Sequence, residues 1–132
     1  MASCCLMIET LETFYQGWEN SDRKSKSAFL SFFTRDKNFN EFTMNNMPTI
    51  FYENIRCGIL HQGETTGGWS ISRDGEKMLD LSEKKIDATV FSRTLKSSLD
   101  EFKKELDDSA WDSIHLKNVR TKLKAIIKVS KE

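Results

Sequence analysis

The stretch of sequence that decides the fold runs from residue 48 to residue 63 and reads PTIFYENIRCGILHQG. Its first residue, Pro48, suits the start of a helix, where a missing N–H group costs nothing, and Gly63 suits the position just after a helix ends. Between them, apolar side chains cover most of the helix circumference rather than a single stripe. We therefore predict a helix over about residues 50–61 that is buried on more than one side.

Two helices are predicted before this stretch, and the spacing of large apolar side chains indicates both. Over residues 4–19 such side chains recur at helical intervals, and the polar run that follows ends the pattern. Residues 25–33 predict a shorter helix whose apolar face contains three phenylalanines. Residues 34–47 are mostly polar and predict a loop or a broken helical turn.

After Gly63 the apolar period changes from that of a helix to that of a strand. Residues 69–72 and 78–81 predict two short strands around Asp74-Gly75, a pair typical of type I′ hairpin turns. Asp87 and Ser109 suit the N-caps of two further helices. The expected architecture is therefore all-α, a bundle of four or five helices with one small inserted β-hairpin.

The chain is expected to form a single domain over residues 1–132, because its length is near the commonest domain size. Met1 opens almost directly into a helical pattern with no obvious cap, which leaves open that an N-terminal segment is missing. The charge is balanced at 20 acidic and 20 basic residues. That balance argues against a general DNA-coating protein, but not against a local RNA-binding patch.

The three cysteines indicate a reducing compartment. Cys4 and Cys5 are adjacent and poorly placed to bridge, and Cys57 lies inside a predicted helix. Free thiols of this kind favour the cytoplasm over secretion. The two histidines lie far apart, so no metal site or other cofactor is predicted. Glu9 and Glu12 interrupt the apolar N-terminus, so no membrane span is predicted either.

Arg56 and His61 are the chemically most distinctive pair in the central helix. At 100° per residue they lie about 140° apart, on opposite flanks of the apolar stripe. Arginine offers a planar fork for phosphate oxygens, and histidine exchanges protons near neutral pH. On spacing alone, structural roles are favoured: an ion pair of Arg56 with Glu53 or Glu9, and a hydrogen-bonded cap of the helix end by His61.

The run R-C-G-I-L-H resembles the Arg-x(4–6)-His motif of the HEPN superfamily, and the surrounding FYENIRCGILHQ strengthens the similarity. The resemblance implies a helical bundle, usually a dimer, with motif residues from two subunits meeting at the two-fold axis. Many members are metal-independent ribonucleases of toxin–antitoxin, phage-defence and RNA-processing systems. The expected partners are therefore RNA, a second copy of the chain and, for a toxin-like member, an antitoxin protein.

The reaction that the resemblance implies is RNA cleavage by the substrate's own 2′-OH. Arg56 would stabilise the transition-state phosphate, and His61 would transfer protons. One histidine cannot be base and acid in the same step, whereas a two-fold dimer supplies two. Tyr52, Asn54 and Glu64 are the candidate supporting or binding residues, and Asn54 lies about 20° from His61 on a regular helical wheel.

Two departures from the family pattern keep alternatives open. Cys57 follows Arg56 where many active members carry a polar residue, commonly Asn, which favours a catalytically inactive module that binds nucleotide or RNA. Gly63 stands where members paired with nucleotidyltransferase antitoxins often carry Tyr, which argues against control by modification there. A further alternative is a plain dimerisation module whose seam is the central helix.

Several polar residues fit an ordinary surface role as well as a functional one. Asn54 equally fits a polar helix face, and Glu64 equally fits a turn. The basic residues between positions 23 and 37, which include Arg35, can hold an RNA backbone or be a solvated face.

Overall fold

A computed structural model describes all of residues 1–132 and shows a mainly helical chain with one small sheet. The elements in chain order are α1 (Ala2–Gln16), α2 (Ser25–Arg35), a 3₁₀ segment (Lys37–Thr43), α3 (Met47–Ile50), a π-helical segment (Phe51–Arg56), α4 (Cys57–Gln62), β1 (Ser70–Ser72), β2 (Leu79–Asp80), β3 (Lys85–Asp87), α5 (Ala88–Asp108) and α6 (Ile114–Ser130). The three segments from Met47 to Gln62 follow one another without a break, and we call them together the motif helix (residues 47–62).

The all-α prediction is right in outline, but the chain has six α-helical segments instead of four or five helices. Part of the difference comes from the π-helical segment, which divides the motif helix into two α-helical ends. None of the helices combines the length and the apolar character that a membrane span requires.

The pairing predicted for the β-hairpin is wrong. The strands β1 and β2 form close to the predicted positions, but β3 lies between them and pairs with both. β1 runs parallel to β3, and β2 runs antiparallel to it. The Asp74-Gly75 turn does not close a hairpin. Instead, the Asp87 carboxylate accepts hydrogen bonds from the Gly75 N–H at 2.8 Å and from the Ser72 hydroxyl at 3.2 Å.

The N-cap predicted at Asp87 is confirmed, since its carboxylate accepts a hydrogen bond of 2.9 Å from the Val90 N–H. This bond, assisted by those from Gly75 and Ser72, holds the pKa of Asp87 below its usual range although desolvation opposes the shift. A carboxylate with a lowered pKa stabilises the fold at neutral pH. That contribution is lost as the pH falls through the lowered pKa.

The N-cap predicted at Ser109 is wrong. Ser113 caps α6, and its hydroxyl accepts a hydrogen bond of 3.3 Å from the Leu116 N–H. Ser109 instead ends α5, where its hydroxyl donates to the Glu105 carbonyl. A serine fits both ends of a helix in this way, because its hydroxyl both donates and accepts.

Boundaries elsewhere differ by a few residues. α1 ends at Gln16 rather than at residue 19, because Gly17 adopts a left-handed conformation with φ 72° and closes the helix. The region 34–47 contains a 3₁₀ segment that buries Phe39 and Phe42. These two rings explain why a mostly polar stretch is anchored to the core.

Phenylalanine rings fill the centre of the core and fix one end of the motif helix. Phe51, the first residue of the π-helical segment, stacks on Phe91 of α5 with ring centres 5.3 Å apart. Phe33 of α2 contacts the Phe51 ring edge-on at 5.0 Å. The fully buried rings are Phe29, Phe32, Phe33, Phe39, Phe42, Phe51 and Phe91. Such rings bury large apolar areas, so the position of the motif helix is set by the core.

Candidate active site

The middle of the motif helix departs from α-helical geometry. The N–H of Cys57 donates to the carbonyl of Tyr52, five residues earlier, as in a π-helix. Segments of this kind are rare and often occur at functional sites. Arg56 is the last residue of the π-helical segment, and His61 lies in the α-helical turn that follows. The two sequence-predicted catalytic residues are therefore placed on either side of a change in helix geometry.

Arg56 forms an ion pair with Glu9 of α1. Its Nε lies 3.1 Å from Oε2 of Glu9, and its Nη2 lies 3.1 Å from Oε2 and 3.4 Å from Oε1. Both side chains are largely buried. Of the two ion pairs considered in the sequence analysis, the one with Glu9 forms, whereas Glu53 pairs with Lys26.

The ion pair is part of a longer chain of contacts. The Ser25 hydroxyl donates to Oε1 of Glu9 at 2.5 Å, and the guanidinium carbon of Arg56 lies 5.6 Å from the centre of the Tyr52 ring. Desolvation lowers the pKa of Arg56, but the Glu9 carboxylate more than offsets this effect and the net shift is upward. Arg56 is thus a fixed cation. None of its bonds to Glu9 uses Nη1.

A cavity of about 250 Å³ lies directly beside this ion pair. Its lining is mainly apolar and consists of Ala2, Cys5, Leu6, Glu9, Arg56, Ile59 and Leu60. Leu6 and Leu60 are 67% and 60% exposed, although both are large apolar residues. Burial raises the pKa of the Cys5 thiol to about 12, so this cysteine is a neutral side chain of the wall. Arg56 therefore lies at the base of an open apolar surface.

The His61 side chain is exposed and makes no hydrogen bond within the protein. The alternative role proposed for it, a hydrogen-bonded cap, is not what the structure shows. Gly63 closes the helix instead, in a left-handed conformation with φ 75°, and its N–H donates to the Ile59 carbonyl. The imidazole is consequently free to contact a ligand or a second subunit.

Asn54 is directed to the segment after the motif helix. Its side-chain oxygen accepts a hydrogen bond of 3.1 Å from the Thr66 hydroxyl, and its carbonyl accepts one of 2.9 Å from the Thr66 N–H. The 20° angle predicted between Asn54 and His61 assumed 100° per residue throughout. That assumption fails because Asn54 lies within the π-helical segment. Asn54 contacts Thr66 rather than His61.

Two glycines allow residues 64–68 to lie against the motif helix. A Cβ atom on Gly58 would be 2.6 Å from the Glu64 carbonyl oxygen, and one on Gly67 would be 2.5 Å from Oδ1 of Asn54. Glu64 itself is exposed. The three predicted supporting residues thus divide into two groups: Tyr52 lies beside Arg56, whereas Asn54 and Glu64 belong to the packing of residues 64–68 on the helix.

A second buried ion pair lies away from Arg56 and His61. Glu12 is fully buried and accepts three bonds from Arg35, at 2.8 to 3.3 Å. The buried carboxylate of Glu12 therefore removes Arg35 from the RNA-binding cluster considered between residues 23 and 37, whereas the pair of Lys26 with Glu53 is exposed. His115 pairs with Glu105 at 2.8 Å on the α5–α6 side of the molecule.

The sequence indicates Arg56 and His61 as candidate catalytic residues but not the way in which they are held. Glu9 was only one of two candidate partners, and Ser25 had no signal at all, because it contacts the site through Glu9 from a different helix. No group of three or more His, Cys, Asp or Glu side chains is placed to hold a metal ion. Comparisons with protein-family models, curated proteins and solved structures find no match.

Proposed function

We propose that this chain is a HEPN-type endoribonuclease that cleaves RNA without a metal ion. The observation that carries the proposal is a fixed arginine and a free histidine five residues apart on one helix, within the run FYENIRCGILHQ. Glu9 accepts hydrogen bonds from Nε and Nη2 of Arg56, so the Nη1 group makes no bond to this carboxylate. An arginine in this state can bind a phosphate oxygen without having to be reoriented, which is the main requirement for electrostatic catalysis.

The chemistry requires only proton transfers, because RNA supplies its own nucleophile. A base removes the proton of the 2′-OH, and the 2′-oxygen then bonds to the adjacent phosphorus. The bond from phosphorus to the 5′-oxygen breaks, and an acid protonates that oxygen as it leaves. The products are a 2′,3′-cyclic phosphate and a 5′-hydroxyl. His61 serves as one of the two proton-transfer groups, and His61 of a second copy serves as the other.

Glu9 and Tyr52 are positioning residues in this proposal. Glu9 fixes the guanidinium through Nε and Nη2, and the hydrogen bond from Ser25 fixes Glu9 in turn. Groups held by a second layer of hydrogen bonds are better preorganised than free side chains. Asn54 contributes indirectly, because it keeps residues 64–68 packed against the helix that carries His61.

RNA is expected to be cut and its 2′-deoxy analogue spared. After the cut has been located in a single-stranded RNA, one 2′-deoxynucleotide placed on the 5′ side of the scissile bond should abolish cleavage there, because the nucleophile is missing. Cleavage of the unmodified RNA should leave 2′,3′-cyclic phosphate ends and proceed equally well with chelator. Cutting of the 2′-deoxy position, or a rate that depends on added divalent ions, would contradict the proposal.

A homodimer is the assembly that completes the proposed site. The exposed Leu6 and Leu60 border the cavity at Arg56, so a second copy placed there would cover apolar surface and bring two motif helices together. Leu60→Glu should therefore shift the protein from dimer to monomer in sedimentation at tens of micromolar, and cleavage should fall with dimerisation. Met44→Glu is the matched control, since Met44 is 62% exposed and lines no part of this cavity. A wild-type protein that sediments as a monomer would count against the composite site.

Two features of the site favour the alternative of an inactive RNA-binding module. Cys57 follows Arg56, where many active members of the family that the chain resembles carry a polar residue. The Glu9 carboxylate also competes with phosphate for Arg56. In this alternative the chain binds RNA and releases it uncut, so a filter-binding measurement beside the cleavage assay separates the two functions.

A further inference from the structure

The most uneven charge distribution in the chain lies in its last helix. Six of the twenty basic residues fall within residues 113–132, together with only one of the twenty acidic residues. Arg120 contacts Trp111, and Lys122 donates to the Glu19 carbonyl at 2.8 Å. The other four, Lys117, Lys124, Lys128 and Lys131, are exposed and have no ion pair or side-chain hydrogen bond. They contrast with Lys96 and Lys103 of α5, each paired with an aspartate.

These four lysines share one side of α6. At 100° per residue they fall within about 60° of the circumference, and they span about 21 Å along the axis. We call them the lysine stripe. A row of lysines that form no ion pairs attracts a polyanion, because no ion pair within the protein has to be broken first.

The position of α6 explains why the stripe is open. Asn118 donates to the Tyr15 carbonyl and Lys122 to the Glu19 carbonyl, so α6 runs alongside the end of α1 and continues beyond it. No residue of α6 is fully buried. Between α6 and residues 19–20 lies a groove of about 370 Å³, and Lys124 and Lys128 line it with Thr121. Glu19 and Glu132 also line this groove.

We propose that the lysine stripe of α6 binds the phosphodiester backbone of single-stranded RNA outside the cleavage site. This inference rests on the proposed function for its choice of polyanion. Glu9, the partner of Arg56, lies eight residues before Gly17, which is about 12 Å along α1. Gly17 contacts α6 at Asn118. A strand of several nucleotides can therefore occupy both the stripe and the Arg56–His61 site.

An anionic lipid surface is the main competing partner, because α6 also carries exposed apolar side chains at Leu123, Ile126 and Ile127. A helix that lies in a lipid interface keeps its apolar side chains downward and its cationic ones on the polar side. Here α1 covers one edge of the apolar side chains through Asn118 and Lys122, and the lysines lie only on the other edge. This one-sided arrangement suits a strand that follows the stripe better than a flat surface.

The test compares two triple variants that remove equal charge. Lys117→Gln/Lys124→Gln/Lys128→Gln removes three stripe lysines, and Lys85→Gln/Lys96→Gln/Lys103→Gln removes three lysines that are ion-paired. Binding of a 2′-O-methyl RNA, which cannot be cut, is measured between 50 and 200 mM salt. Each lost phosphate contact should reduce the slope of log K against log salt by about 0.7, so the stripe variant should lose about 2 from its slope. The wild type should then lose about 20-fold more affinity over this salt range than the stripe variant does.

The outcomes separate this inference from the proposed function. Equal slopes for both triple variants would overturn the stripe as a binding site, whether or not RNA is cleaved. Stripe-dependent binding of 2′-O-methyl RNA would support it even if unmodified RNA is never cut, and in that case only the cleavage proposal fails. Binding to phosphatidylserine vesicles that is abolished by Ile126→Ser/Ile127→Ser, without RNA binding, would replace RNA by a lipid surface and overturn the proposal.

Discussion

His61→Gln is expected to lower the rate of RNA cleavage by about 10²–10⁴-fold, the usual contribution of a positioned proton-transfer group. Glutamine preserves much of the size and hydrogen bonding of histidine but cannot exchange a proton near neutral pH. Because His61 is exposed and makes no hydrogen bond within the protein, its loss should leave the fold intact. Initial rates on one RNA at fixed salt measure the effect, after helix content and dimerisation have been matched.

The control for His61→Gln is His115→Gln, the same substitution at the chain's other histidine. His115 pairs with Glu105 and is not among the partners of Arg56, which are Glu9 and Tyr52, so its replacement should leave cleavage unchanged. Arg56→Lys adds a second comparison, since it keeps the charge but loses the planar fork. Turnover should fall in this variant while RNA binding falls less. If His61→Gln cuts RNA as fast as the wild type, the inactive-module alternative is correct.

Arg35→Met is expected to reduce the free energy of unfolding by about 3–5 kcal/mol, because it leaves the fully buried Glu12 carboxylate without its cation. The remaining donors to Glu12 are the Ser31 hydroxyl at 2.6 Å and the Gln16 amide at 3.0 Å. Two neutral hydrogen bonds do not replace the positive charge of the guanidinium. This guanidinium also lies 3.6 Å from the centre of the Tyr15 ring. Urea unfolding followed by circular dichroism measures the loss, which is a large part of a typical domain's stability.

The double variant Glu12→Gln/Arg35→Met should recover most of this stability, because the uncompensated charge is removed together with its partner. Lys96→Met is the surface control. It breaks an exposed pair with Asp100, and exposed pairs contribute little, so the unfolding midpoint should hardly move. A midpoint for Arg35→Met that is as high as that of the surface control would show that the pair with Glu12 is dispensable.

The parts of the fold that depend on neighbouring residues could be predicted from the sequence. Helical spacing of apolar side chains located α1, α2 and the motif helix to within a few residues, and the Asp87 cap was identified from residue type alone. The strand pairing could not be predicted in this way. The partner of β1 lies thirteen residues beyond its end, and Asp87 at the end of that partner strand receives hydrogen bonds from Ser72 and Gly75.

For the candidate site, the sequence supplied residue types but not their surroundings. Arg56 and His61 stood out through their spacing within the family-like run, and Glu9 was one of two candidate partners of Arg56. The packing of Asn54 on Thr66 could not be foreseen, since it depends on the π-helical segment and on Gly67 lying within contact distance. Local pattern rules assume a uniform helix, and such rules fail where the hydrogen-bond register changes.

The π-helical segment determines how the two ends of the motif helix are rotated relative to each other about the helix axis. Phe51 at its start is locked among core rings, whereas His61 follows its end in an α-helical turn. A π-helical turn holds one residue more than an α-helical turn, because its hydrogen bonds join residues five rather than four positions apart, as Tyr52 and Cys57 are here. The wider turn absorbs this additional residue within the helix, so Phe51 and Ile55 stay buried in the core while His61 is exposed to solvent.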